Sequence, residues 1–350
     1  MSVAAEAPEL VPPAPGVGRT AWRRVTADPL ALAAAAFLVL LFLACFVGGP
    51  LAAKALGHGP GQYYVRATDF ATQKPVGPWT RVPAQPSGYP PPTAHSPRTL
   101  FVLGADGPLG RDELLRLLYG GQSALEIALG ATLVAVLVGT FVGLVAGFFG
   151  GLVDIVASRT TELVAAFPFL LLVIAVGWTI GLRLNNVRLG FLPKGVLAMV
   201  VVIGAFTWPY PARLVRAQVV ALRNREFVEA ARMIGAGDWR IIRSHLVPHV
   251  APTLIAYGTL ILATNIVLEA ALSVLNLGIQ IDTPDWGNML SQNFGSLIAN
   301  TSTAGFDNPQ QSIWTQVFPA SAILLTVLAF TLLGEALREA VDPRSQGVGS

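Results

Sequence analysis

Asn265 and Glu269 stand four residues apart inside a long apolar stretch and are its deepest polar pair. That spacing puts an amide and a carboxyl on one helix face. Ionisable groups at membrane depth face the protein interior or a cavity, so the pair is a candidate for a solute path. A structural or gating role is favoured over direct solute contact. His245 and His249 share the same spacing, as metal ligands on a helix would. No H-E-x-x-H surrounds them, and Pro248 between them interrupts regular helix, so no metal is expected. Arg159 and Glu162, three apart, are helix neighbours; with Asp154 they suit ion pairing at a membrane surface. The only lysines, Lys54, Lys74 and Lys194, never follow a glycine, so a G-x-x-x-x-G-K-[ST] phosphate loop is absent. No nucleophile elbow or carboxylate dyad appears, and the single Cys45 allows no intramolecular disulfide. These residues do not make an enzyme, and no cofactor is expected on this chain.

The elements that carry these residues are membrane helices. A hydrophobic fraction of 53%, a charged fraction of 12% and a mean hydropathy of +0.60 exclude an ordinary soluble domain. Leu30–Val47 has no polar side chain across 18 residues, close to the roughly 20 that cross the hydrocarbon. Further runs lie at about Ala124–Phe149, Leu163–Ile180, Gly195–Val215, Ala251–Leu277 and Val317–Leu333. Six spans are expected. With the N-terminus inside, Lys and Arg number 3 before the first span, 1 between spans two and three, 7 from Arg213 to Arg243, and 2 at the C-terminus. The two short outer loops carry 3 and 0, so both termini are placed in the cytosol. The net charge of +3 and pI near 9.2 then reflect topology and no nucleic acid. An apolar run this long after so long a leader is read as a retained helix, despite Ala53-Lys54-Ala55 resembling a cleavage site.

Residues 1–29 are read as a cytosolic tail, 30–49 as the first span and 50–123 as an extracytoplasmic loop. Residues 124–340 form the helical core with a cytosolic loop at 220–249, and 341–350 form a short tail. Proline in Gly57–Arg98 argues for irregular backbone and a solvated insertion without a core of its own. Leu109–Tyr119 reads as a short interfacial helix, its leucines on one side and Arg111, Asp112, Glu113 and Arg116 in water. In the second span Gly139, Gly143, Gly147 and Gly151 recur every fourth residue, which favours close packing on another helix. Pro168 is expected to kink the third span, and Pro209 and Pro211 interrupt the end of the fourth.

Glu229–Pro248, EAARMIGAGDWRIIRSHLVP, is polar and basic between two apolar segments. Its Glu229, Ala230, Ala231, Gly235, Ile242, His245, Leu246 and Pro248 fall in a pattern that resembles the cytoplasmic EAA loop of ABC-importer permeases. LGADGPLGRDELLRLLYG resembles the segment before the second helix of dipeptide, oligopeptide and nickel permeases, with Ala105 where that family usually has Thr. LEAALSVLNLGIQIDTPDWGNML and VFPASAILLTVLAFTLLGEALREAVDPR are also similar to it. The resemblance covers roughly residues 98–344 and implies the C-type permease subunit of an importer driven by ATP. It implies an all-α membrane protein of the type I permease fold. The implied partners are a homologous second permease, ABC ATPase subunits that bind the ATP, and an extracytoplasmic solute-binding protein. Ala230, Ala231 and Gly235 would then let the ATPase approach closely. Trp286 and Gly287 would shape the external mouth or the receptor-facing surface. Peptides are the expected cargo, with nickel, opines or glycosides as alternatives. A self-sufficient secondary transporter, the rival from another class, predicts matched broken helices in two inverted halves; no such repeat is visible.

Overall fold

The computed structural model describes residues 26–68, 75–84, 97–168, 195–279, 282–292 and 314–341. The expected cytosolic tails and most of the third span, with Arg183, Arg188 and Lys194, lie outside the described residues. Four described helices are long and apolar enough to cross a membrane. They are α1 (Pro29–Leu56), α2 (Glu113–Phe149), α7 (Asp238–Val274) and α8 (Trp314–Val341). A fifth candidate is the pair α4 (Val196–Thr207) and α5 (Pro209–Leu222), bent by 42°. Pro209 opens α5, so the missing N–H falls where a new helix starts and the bend follows from proline chemistry. Between these lie α3 (Gly151–Ala166) and α6 (Glu226–Met233).

Helix α2 is the axis of the molecule. It packs on α3, α4, α5 and α7, and α7 packs in turn on α8, which holds α1. One face of α2 carries the glycines. A Cβ on Gly139 would lie 2.6 Å from Pro211 and 2.7 Å from the Trp208 carbonyl, and one on Gly143 would lie 2.6 Å from the Ala212 carbonyl. On Gly147 it would lie 2.8 Å from Val219. These distances are shorter than any side chain tolerates, so α5 lies on the bare backbone of α2. Gly151 does not join this contact: it follows the end of α2, has φ +55° and has nothing near its Cβ position. Leu133, Leu137 and Phe141, on the other side of α2, are exposed as lipid-facing residues should be.

The outer segment departs from expectation in three ways. First, Leu109–Tyr119 is not a separate interfacial helix: Glu113–Tyr119 is the start of the second span, and Arg111–Asp112 before it is a short strand. Asp112 caps this continuous helix, its carboxylate accepting from the Leu115 N–H at 3.0 Å. At 37 residues α2 is ~55 Å long against a hydrocarbon core of ~30 Å, so its first turns project beyond the lipid.

Second, Arg111, Asp112, Glu113 and Arg116 are not in water; each is buried to within 1%. Arg111 and Arg116 both pair with Asp106, Arg111 at 3.0 Å and Arg116 at 2.5 Å. The charges turn inward because the outer segment folds over them. Third, that segment has a core of its own, in which Tyr64, Ala67, Val82, Phe101 and Ala105 are buried together. Two short antiparallel pairs frame it: β1 (Thr80–Pro83) with β2 (Arg98–Phe101), and β3 (Ala105–Asp106) with β4 (Arg111–Asp112). His58 stacks on Phe101 at 5.7 Å and meets the Asp112 carboxylate at 3.0 Å, tying this cap to the start of α2.

Candidate functional site

The loop at 220–249 is built from α6 and the first turns of α7. Val228 and Ala231, three apart on α6, are buried with Leu144 and Phe148 of α2, Val219 of α5, and Ile242 and Leu246 of α7. The loop is therefore not a free excursion but is seated on the C-terminal ends of α2 and α5. Two further contacts hold it. The Arg223 guanidinium donates to the Gly147 carbonyl at 3.1 Å, and Arg232 lies over the Phe148 ring at 5.5 Å.

Gly235 ends α6 with φ +80°, a conformation that suits glycine. Its N–H donates to the Arg232 carbonyl at 2.9 Å, and the Ala236 N–H to the Ala231 carbonyl at 3.0 Å, closing the helix end. Glu226 and Glu229 occupy the first turn of α6, where the helix dipole favours negative charge. His245 and His249 flank Phe227: the His249 ring stacks on it at 4.9 Å, and the His245 ring meets it edge-on at 6.5 Å. Pro248 sits in the first turn of the regular part of α7, after a π-helical turn at Ile242–Leu246.

This geometry divides the eight loop residues singled out by sequence. Ala231, Ile242 and Leu246 are buried within the chain, so they hold the loop's shape and do not meet a partner directly. That corrects the expectation for Ala231. Glu229, Ala230, Gly235 and Pro248 face outward, and His245 is half-buried. Beside them lie three residues that sequence reasoning passed over: Met233, Ile234 and Trp239, exposed by 83%, 84% and 62%. Large apolar side chains amid arginines in a short polar loop were the signal that could have found them. Exposed apolar groups on a seated loop make a candidate interaction surface.

Asp154 pairs not with Arg159 but with Arg216 of α5, which donates to its carboxylate through Nε and, at 2.7 Å, through Nη2. The Arg216 hydrogen bond holds the Asp154 carboxyl below the usual carboxylate range. Arg159 and Glu162 do meet, at 2.8 Å, but both side chains are largely exposed and such pairs contribute little. A partner beyond helical reach cannot be read from spacing, so Arg216 escaped notice.

Deeper in the membrane, a cleft of about 440 Å³ lies between the end of α3, the bend of α4 and α5, and the middle of α7. Thr207, Tyr210, Tyr257, Thr264 and Asn265 contribute to its wall, and no described lining residue carries a charge. Asn265 and Glu269 are both fully buried. The Asn265 amide donates to the Thr132 hydroxyl at 2.9 Å, and Ser273 donates to Glu269 at 3.1 Å. Trp286 is a further correction: it is no surface residue. It is 1% exposed, lies where Cβ atoms on Gly120 and Gly121 would stand, and donates from its indole to the Leu117 carbonyl at 2.8 Å. Gly287 likewise packs inward, on Ala270 and Ser273.

A helical membrane chain with a broken span, a cleft at that break and a seated cytosolic loop has the build of a transport permease. Residues 139–347 match the family model described as binding-protein-dependent transport system inner membrane component, and the chain belongs to that family. Residues 17–75 match the N-terminal TM domain of oligopeptide transport permease C. The chain is 36% identical over 253 residues to the glutathione transport system permease protein GsiD of Escherichia coli O1:K1 / APEC, covering 72% of this chain and 75% of that one. It is 35% identical over 243 residues to a Brucella ovis chain whose name reads "Putative peptide permease protein", covering 69% and 73%. The chain is thus a multi-pass inner-membrane permease component of a binding-protein-dependent ABC importer. It is not itself an enzyme.

Proposed function

We propose that this chain is the C-type permease of an importer for short peptides. It would form the path with a second permease and couple to ABC ATPase subunits through the loop at 220–249. The relatives named for glutathione and peptide transport support the cargo. ATP would be bound by the partner ATPases, since no phosphate-binding loop is present here. We further propose six spans with both termini in the cytosol, on the charge asymmetry of the short loops.

The observation that carries the coupling role is the exposed trio Met233, Ile234 and Trp239 on a loop anchored to α2 and α5. Apolar groups on an anchored loop can transmit force: a partner that grips them moves the inner ends of two membrane helices. ATP binding closes the ATPase pair, and the loop and helices follow. The bias comes from the different nucleotide affinity of the two states. The test is co-purification of the ATPase with Ile234→Asp permease, alongside uptake in the same cells. A drop of about tenfold or more in both, with normal insertion, is expected for loss of a central apolar anchor. Wild-type co-purification and uptake would remove the coupling assignment. Single cysteines in a Cys45→Ala background test the topology: one at Ser302 should label from outside, and one at Ser244 should not.

A further inference from the structure

We infer that the membrane cleft is a subsite with no charge among its described lining residues, in which Asn265 receives an N–H group of the passing peptide. The inference rests on the peptide-importer reading and assigns a residue to it. The cleft volume of about 440 Å³ lies within the roughly 300–1,000 Å³ typical of small-molecule sites. Tyr210 and Tyr257 bring hydroxyls that can donate or accept, while its two threonines present acceptors alone. The hydroxyls of Thr207 and Thr264 direct their protons to carbonyls of their own helices, Ile203 at 2.9 Å and Leu260 at 3.1 Å. What they leave facing outward is oxygen lone pairs.

Asn265 completes the set. Its Nδ2 is taken by Thr132 on α2 at 2.9 Å, which fixes the amide plane. Its Oδ1 is buried and has no hydrogen-bond partner. A buried acceptor without a donor is costly, and such a group in a cleft wall is satisfied by a ligand that brings the donor. Peptides bring several, as backbone N–H groups or as a terminal ammonium. No described lining residue is charged, so none of them reads the charge of a peptide's side chains. The subsite recognises what all short peptides share.

The experiment uses the whole importer in vesicles: both permeases, the ATPases and the binding protein. The binding protein is loaded to saturation with a tripeptide or with the same tripeptide methylated on its amide nitrogens. Wild type should carry the tripeptide faster than its methylated form, by about tenfold for a lost buried hydrogen bond. Asn265→Leu should erase that preference by lowering tripeptide transport to the methylated rate, with assembly intact. Thr132→Val removes the same contact between α2 and α7 but leaves Oδ1 in place, so it should keep the preference even at reduced heat stability. If Asn265→Leu retains the preference, or if both variants lose transport and assembly in parallel, Asn265 is a packing residue and the inference fails. If wild type does not carry the tripeptide at all, the peptide reading falls and takes the inference with it.

Discussion

The two ends of α2 are held in opposite ways. At the outer end, Arg111, Asp112, Glu113 and Arg116 are buried beneath an aromatic cap. At the inner end the α2 backbone lies bare against α5, and the loop seats on it through Val228, Ala231, Ile242 and Leu246 while most charges point to water. A buried charge network tolerates little displacement, because each partner left behind is stranded without solvent. An apolar seat is not directional and lets surfaces slide or tilt with less loss. The outer end is built to stay assembled, and the inner end to be pulled.

The largest effect should come from breaking the outer network. Asp106 holds two arginines, and Asp106→Ala should cost about 3–5 kcal/mol, the range for removing one partner of a buried pair. Thermal denaturation of the purified complex measures it, and a shift no larger than that of a surface variant would erase the contrast between the ends. Next comes the bare-backbone contact. Gly143→Leu should cost on the order of 1–3 kcal/mol and weaken assembly, as overpacking does. Full assembly and heat stability in Gly143→Leu would mean that α2 and α5 separate easily in the lipid.

The loop surface should show the reverse balance. Gly235→Asp should cost only about 1–2 kcal/mol of heat stability, the scale of a side chain held at positive φ, since its surroundings are open. ATPase co-purification should nonetheless fall severalfold. Equal losses in stability and binding would show that the loop is a folding element first. The smallest effect belongs to Asp154. Because Arg216 depresses its folded-state pKa, the pair contributes above the unfolded carboxylate value of ~3.9 and is lost as pH falls through the lower, folded value. Asp154→Asn should therefore be slightly less stable than wild type at neutral pH and indistinguishable from it in strong acid. A gap that widens with acid would contradict the Arg216 assignment.

The inner end is the more legible of the two in sequence. Glycine every fourth residue and a polar twenty-residue loop between apolar runs are local patterns, and local patterns follow from helix geometry. The broken fourth span is legible for the same reason, since Pro209 and Pro211 act on their own backbone. The outer end resists reading because its logic is non-local. Helical period sorts Arg111, Glu113 and Arg116 to the polar side of LGRDELLRLLY, and water is the default partner for that side. Only the burial of Tyr64, Val82 and Phe101 beside it, with His58 reaching Asp112 across 54 positions, converts it into an interior. Trp286 is hidden likewise: the two adjacent glycines that receive it, Gly120 and Gly121, lie more than 160 residues earlier.

The outward trio on the cytosolic loop has a consequence for the cell's accounting of subunits. Under the proposed coupling, a permease made without its ATPase would display Met233, Ile234 and Trp239 to the cytosol. Such a patch is what chaperones and proteases survey, so an unpaired chain carries its own mark for removal. Docking erases the mark. The lifetime of this chain should then follow the supply of its ATPase, so the surface proposed for coupling would also keep the two subunits in proportion.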